Sequence, residues 1–259
     1  MSKPRAFDLR EIDPEQYPLL AGALGDRPET LQSVHMLRRG LCRAYLIGAP
    51  VQFGAAIVQS REWPEEPTGF GSDPGLLWAL LQRVEGWTCL LVDSACAPAL
   101  GRIVASELGR SIRTLEDITH LLTTPAPDYR HPAVRRLALA DLDLLESTPL
   151  ELRSGLWASP RQMIEEGIVA CAIVAGQIVS TALVTALSPR YAEIGVYTRE
   201  DHRRQGYATA AASLVARAIQ ETGRIAVWGA GAHNVASLRV ARKLGFVEVS
   251  RRTYLVLDT

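Results

Sequence analysis

In the second half of the chain, apolar residues come first in short β-branched runs and then at helical spacing, and this change of period orders the elements. Ile168 to Ala175 and Ile178 to Leu187 are apolar runs joined by Gly176-Gln177, which predicts an antiparallel hairpin, with Tyr191 to Thr198 as a third strand. After a polar loop, Ala208, Ala211, Ala212, Val215, Ala218 and Ile219 repeat at helical spacing, and Gly223 supplies a stop. A short strand over Arg224 to Trp228, a glycine-rich loop over Gly229 to His233, a helix over Ser237 to Leu244 capped by Asn234 and Gly245, and a strand over Phe246 to Leu257 complete this half. Upstream, Ser159-Pro160-Arg161-Gln162 reads as a helix start ending at Gly167.

The first half follows a comparable order. Strands are expected near Arg43 to Ile47 and Val51 to Gln59, a helix from Asp73 to about Val84, a strand over Thr88 to Val92, a helix over Pro98 to Leu108 and a strand near Ile112 to Leu121. A diverged structural repeat is one reading of this agreement and chance similarity of α/β order is the other. Prolines and polar residues from Thr123 to Pro132 interrupt the two regions. The chain is accordingly divided into an N-terminal α/β domain at 1–124, a linker at 125–132 and a second domain at 133–259.

Composition narrows the class. Of 259 residues, 47% are hydrophobic and 22% charged, the balance of a globular protein able to bury a core. Formal net charge is zero, so electrostatics give no reason to expect nucleic acid or an anionic membrane as partner. Cys42, Cys89, Cys96 and Cys171 are dispersed and no His cluster has ligand spacing, so neither a disulfide framework nor a metal site is indicated. The N-terminus mixes Lys3, Arg5, Asp8, Arg10, Glu11 and Asp13, and no apolar run approaches the roughly 20 residues needed to span a bilayer, which points to a cytoplasmic protein.

Chemistry concentrates at Thr198 to Thr209, where a strand ends, a polar loop turns, and Gly206 with small Ala208 opens a long helix. The first amides of such a helix lack intrahelical acceptors and carry the positive end of its dipole, so the site suits phosphate. Arg203 and Arg204 could add charge-assisted contacts. A glycine opening a helix is, however, more often plain capping.

Arg203-Arg204-Gln205-Gly206-Tyr207-Ala208 resembles the pyrophosphate loop of the GNAT superfamily of acetyl-CoA-dependent N-acetyltransferases. Glu193-Ile194-Gly195-Val196-Tyr197-Thr198 is similar to the family's splayed strand, and Asn234-Val235-Ala236-Ser237 followed by Lys243-Leu244-Gly245-Phe246 to its next helix and strand. The resemblance implies a GNAT fold for the second domain: a mixed, mostly antiparallel sheet with helices on both faces, preceded by a smaller α/β domain. It implies acetyl-CoA as co-substrate, no metal, and transfer of the acyl group to a primary amine by direct attack, in a monomer or homodimer. Val196, Tyr197, Thr198, Arg203, Arg204, Gln205, Gly206, Tyr207, Ala208, Thr209, Asn234 and Ser237 would bind the cofactor. Glu193 would take the amine proton. The family's usual tyrosine acid falls on Ala241, which leaves Tyr254 or a water for that task and gives some weight to a second reading, a GNAT-like protein that holds acyl-CoA without turnover.

Several residues have ordinary alternatives. Glu193 also fits a solvated strand position; His202 and His233 fit surface loops; Trp157, Tyr191, Tyr197 and Trp228 either wall an acceptor pocket or fill the core. Gly69 to Gly75, with Asp73 and Pro74 and no arginine, reads as a turn into a capped helix.

Overall fold

A computed structural model describes residues 9–258 of the chain, so Lys3, Arg5 and Asp8 lie outside the described residues. It divides into two compact units, neither of them a continuous stretch. Unit 1 comprises the described residues up to Gly25, then Met36–Asp117, and the chain from Arg251 on; unit 2 comprises Asp26–His35 and Ile118–Ser250.

In chain order the elements begin with β1 (Leu9–Glu11), α1 (Tyr17–Leu24) and α2 (Leu31–Arg39), followed by β2 (Cys42–Ala49), β3 (Gln52–Ser60), β4 (Thr68–Phe70), α3 (Pro74–Leu81), β5 (Cys89–Asp93), α4 (Ala97–Leu108) and β6 (Ile112–Leu122). The second half continues with β7 (Val134–Arg136), α5 (Leu142–Glu146), α6 (Pro160–Glu165), β8 (Val169–Val174), β9 (Gln177–Leu187), β10 (Tyr191–Thr198), α7 (Tyr207–Glu221), β11 (Ile225–Gly231), α8 (Val235–Leu244) and β12 (Val247–Leu257).

The two halves repeat one pairing pattern. β1, β2, β3 and β4 are antiparallel neighbours and β4 runs parallel to β5. β7, β8, β9 and β10 are likewise antiparallel neighbours and β10 runs parallel to β11. A parallel step needs a crossover, and α3 and α7 supply it. The repeat suspected from element order therefore extends to strand direction. Unit 1 completes its sheet with the end of β12, whose Arg252–Val256 pair antiparallel with Asp93–Cys89 of β5. In unit 2 the end of β6 lies beside β11. Unit 1 thus takes a strand from the far end of the chain, and unit 2 takes residues 26–35 from near its beginning.

Several boundaries differ from the expected ones for local reasons. The β8–β9 turn is Ala175-Gly176, with φ of 49° and 77°, so the positive-φ pair sits one residue earlier than Gly176-Gln177. β11 runs on to Gly231 because its glycines keep extended geometry, and α8 starts at Val235, directly after its Asn234 cap. Helix α1 carries no obvious helical signal: Pro18 and Gly22 look like breakers, yet Pro18 falls within the first turn, where its missing N–H costs nothing. The 125–132 segment lies along α7. Ala126 N–H donates to Gln220 Oε1 at 2.9 Å, Tyr129 N–H to Ser213 Oγ at 3.0 Å, and Ser213 Oγ to the Pro127 carbonyl. Asp128 pairs with Arg217, and Lys243 Nζ sits 4.9 Å from the Tyr129 ring centre.

The unit 2 core forms where the small face of α7 meets the sheet. Ala211, Ala212, Val215, Ala216 and Ile219 pack with Ala192 and Ile194 of β10 and with Ala226 and Trp228 of β11. Alanines let the helix axis come close, and each larger aliphatic buried there contributes about 1.5–3 kcal/mol. Leu31, Ala186, Tyr191 and Val227 form a second cluster. Strand alternation puts Ala192 and Ile194 toward α7, and Tyr191 and Glu193 toward the start of α2.

Residues 26–35 are fixed to unit 2 at both ends. Ser188 Oγ donates to Asp26 Oδ1 at 2.6 Å, and Arg190 N–H donates to Oδ2 at 3.2 Å. His35 Nε2 donates to the Leu156 carbonyl at 2.6 Å and its Nδ1 accepts from Leu187 N–H at 3.1 Å, while the ring meets Trp157 edge-on at 5.0 Å. A chain starting at residue 131 lacks these anchors and the β6 strand. It is expected to melt without a cooperative transition, as followed by calorimetry and amide NMR dispersion; a cooperatively folded fragment would contradict the division of units.

Candidate active site at the parting of two strands

β10 and β11 pair only at Tyr191↔Ile225, Ala192↔Ala226 and Glu193↔Val227, although β10 continues to Thr198 and β11 to Gly231. On its other side β10 stays paired with β9 as far as Thr198↔Ser180. Arg199 N–H donates to the Val179 carbonyl at 2.9 Å, so by alternation the main-chain groups of Gly195 and Tyr197 address β9. Those of Ile194, Val196 and Thr198 turn to the other side, where the Glu193↔Val227 pairing still engages the Ile194 N–H, and those of Val196 and Thr198 face the side that β11 has left. Val196 and Thr198 are half-buried, and Ser180 Oγ lies 2.7 Å from Thr198 Oγ1 and donates to the Tyr197 carbonyl at 3.1 Å.

The chain then runs through a 3-10 turn at Glu200–His202 and the exposed Arg203, Arg204, Gln205 and Gly206 into α7. Arg204 has φ 64° and Gly206 φ 85°. Such left-handed turns ahead of a helix make anion-binding concavities. α7 has no side-chain cap, and Gly206 O takes Ala210 N–H at 3.0 Å. The amides of Tyr207, Ala208 and Thr209 are thus the open positive end of the helix. A Cβ on Gly206 would meet nothing within 4 Å, so glycine here answers to its φ and leaves the approach clear. Tyr207 is buried edge-on to His131 at 4.7 Å, with its hydroxyl donating to Gln205 Oε1 at 2.9 Å. Arg203 Nε reaches the Thr198 carbonyl at 3.4 Å.

Glu193 is buried, 9% exposed, at the last paired position before the strands part. Its Oε2 accepts from Gln32 Nε2 and from Thr185 Oγ1, each at 2.8 Å. Thr185 is the extra residue of a β-bulge: Glu193 pairs with Ala186 and Ile194 with Val184. Gly195 is tailored to it, since a Cβ there would lie 2.5 Å from Thr185 Cγ2. A Cβ on Gly229 of β11 would lie 3.0 Å from Glu193 Oε1.

The remaining sequence candidates separate. Asn234 caps α8, accepting Ser237 N–H at 3.1 Å, and Ser237 Oγ accepts from the Trp228 indole at 2.9 Å. Trp157, Tyr191 and Trp228 are core, while Tyr197 is 40% exposed. His202 Nδ1 pairs with Asp201 at 2.8 Å, and His233 is exposed. Ala241 is fully buried. Tyr254 belongs to unit 1, opposite Leu91 of β5, and the arrangement within unit 2 does not include it. Gln32, Thr185 and Gly229 escaped the sequence reading; only Gly229, a glycine inside a strand pattern, carried a signal of close approach.

The equivalent place in unit 1 is closed. β4 and β5 pair at Thr68↔Leu91, but Gly69 is hemmed in by Val92, Leu77 and Leu90, and the buried Arg252 donates to the Gly69 carbonyl at 2.7 Å. The start of α3 is occupied by Asp73, whose carboxylate accepts Gly75 N–H at 2.8 Å and Leu76 N–H at 3.1 Å.

Residues 128–255 match the family model described as GNAT acetyltransferase. This segment is similar to the GNAT acetyltransferases. GNAT-fold structures also cover the whole chain. A GCN5-related N-acetyltransferase-like protein from Streptococcus suis 89/1591 is similar at 23% identity and TM-score 0.70, over 94% of this chain and 99% of that one. A GCN5-related N-acetyltransferase from Sphaerobacter thermophilus gives 18% and 0.63 over 98% and 96%. A tandem GNAT protein from the clavulanic acid biosynthesis pathway gives 14% and 0.56 over 96% and 97%. No curated protein sequence matches. The GNAT fold thus accounts for both halves, with the open strand parting in the half that the family model covers.

The Gly195–Thr185 contact is directly testable. Gly195→Ala is expected to destabilise the fold by about 1–3 kcal/mol in denaturant titration, as overpacking does. Thr185→Ser, which removes the offending methyl, should recover most of the loss in the double variant. Two additive losses would refute the contact.

Proposed function

We propose that unit 2 transfers an acetyl group from acetyl-CoA to a primary amine by direct attack. The observation that carries this reading is the conjunction, at one edge of one strand, of an uncapped helix start beside two arginines, a run of main-chain groups released by β11, and a buried carboxylate. The amides of Tyr207 to Thr209, with Arg203 and Arg204, would hold the diphosphate. Val196 and Thr198 would bond the pantetheine amides as a missing strand would, and the acyl group would reach the level of Glu193.

There the amine nitrogen attacks the thioester carbonyl carbon while the Glu193 carboxylate takes the nitrogen's proton, since an ammonium has no lone pair to offer. The Val196 amide would stabilise the oxyanion. Collapse expels the coenzyme A thiolate. With buried Ala241 at the family's tyrosine position, departure relies on the thiolate being a modest base, its parent thiol having a pKa of about 8.5 if it resembles cysteine. A covalent cysteine route is disfavoured, because burial pushes the fully enclosed Cys171 thiol up to about 12. The four buried free cysteines suit a reducing compartment such as the cytoplasm, and among the described residues no helix is long and apolar enough to cross a membrane.

Ala241 also favours a second reading, retention of acyl-CoA without turnover. Thiol release from acetyl-CoA over a panel of primary amines separates the two. Glu193→Gln should lower turnover by about 10²-fold to 10⁴-fold with coenzyme A affinity little changed, and should move the rate's pH profile to alkaline values as deprotonation passes to solvent. Equal turnover and an unchanged profile would remove Glu193 from the reaction.

Gly206→Asp should abolish coenzyme A binding in calorimetry by setting a negative charge against the diphosphate. Full-strength binding by the folded variant would contradict the assignment. The parent should bind one equivalent per chain, because unit 1 has its helix start closed by Asp73; two equivalents would overturn that part.

A further inference from the structure

Glu193 is held from three sides by residues that no family motif covers. Gln32 comes from the exposed surface of the first turn of α2, far away in sequence, and still places Nε2 2.8 Å from Oε2. Thr185, bulged out of the β9 register, sets its hydroxyl 2.8 Å from the same oxygen. Gly229 leaves room for Oε1 on the β11 side and for no more: a methyl there would stand 3.0 Å from it. The segment that delivers Gln32 is fixed at both ends, by Asp26 on the β9–β10 turn and by His35 on Leu187 and Leu156.

We infer that Gln32, Thr185 and Gly229 are positioning residues for Glu193, with two neutral donors anchoring Oε2 so that Oε1 faces across the parting of β10 and β11. The inference rests on the proposed proton-accepting role of Glu193. Two neutral donors on one oxygen do two things. As donors to the carboxylate they favour its ionised form, the form that accepts the incoming proton. They also fix which oxygen meets the amine, a placement that catalysis rewards. The first half of the chain then contributes to the reaction through one exposed amide, with no site of its own.

The experiment has two arms. In the first, the protein carries 13C-labelled glutamate carboxyls, Glu193 is assigned by its absence in Glu193→Gln, and its titration is followed by NMR in the parent, Gln32→Leu, Thr185→Val and Thr185→Ser. Loss of a donor to the ionised form raises the midpoint, so Gln32→Leu and Thr185→Val should each shift it upward by about one pH unit. Thr185→Ser, which keeps the hydroxyl, should stay at the parent value. Because Gln32 is exposed, its variant is expected to fold, and this arm needs no acceptor. In the second arm, acetyl-CoA and the amine panel are used as probe. Gln32→Leu, Thr185→Val and Gly229→Ala should each lower kcat about tenfold with KM for acetyl-CoA within twofold of the parent, and the acidic limb of the first two should move upward with the NMR midpoint. Midpoints of Gln32→Leu and Thr185→Val that coincide with the parent overturn the inference. A parent without transfer to any amine overturns the acyltransferase reading instead, while the NMR arm still decides whether the carboxylate is held as described.

Discussion

Two parallel strands share hydrogen bonds only while their directions agree, and in unit 2 that agreement ends after Glu193↔Val227. Everything proposed for this protein depends on that early end. Below it, β10 is a central strand paired on both sides; above it, the same strand is paired on the β9 side alone, and the main chain of Val196 and the Thr198 N–H turn to the side without a partner strand. The packing explains why β11 can leave: Ala226, Trp228 and Ala230 stay in the α7 core, while Gly229 and Gly231 put no side chain between the strands. α7 begins at the far end of the same strand, so its positive end and the released edge lie along the course proposed for one elongated ligand.

The two halves differ where unit 2 is open and unit 1 closed. Strand order and direction are the same, yet Asp73 fills the start of α3 with a carboxylate where Gly206 leaves α7 uncapped, and Arg252 takes a carbonyl of β4 where the corresponding edge of β10 is open. A helix start that holds its own anion has no charge left for another. Unit 1 keeps the architecture and contributes residues 26–35 of its neighbouring sequence to unit 2, among them Gln32.

Much of unit 2 was legible in the sequence because its signals are local. Arg203 to Ala208 carry the loop in consecutive residues, Asn234 and Gly245 mark both ends of α8, and Ser159 accepts Gln162 N–H as its helix-start pattern predicts. What escaped is non-local or compensated. Nothing near Gln32 announces a carboxylate whose position in the chain is 193, and the Thr185 bulge changes register without changing composition. The return of the end of β12 to unit 1 leaves that strand's own pattern intact, so a boundary drawn at the prolines of 125–132 cannot reveal it. Asn234 and Ser237, read from the resemblance as cofactor contacts, each have a structural partner in α8 or Trp228.

A crystal structure of the full chain with coenzyme A tests the central claim most directly. The account predicts one molecule per chain, its diphosphate at the Tyr207–Thr209 amides, its pantetheine along Val196 and Thr198 in place of β11, and its sulfur at the level of Glu193. Coenzyme A bound at α3 of unit 1, or in unit 2 with the parting of β10 and β11 empty, would contradict it.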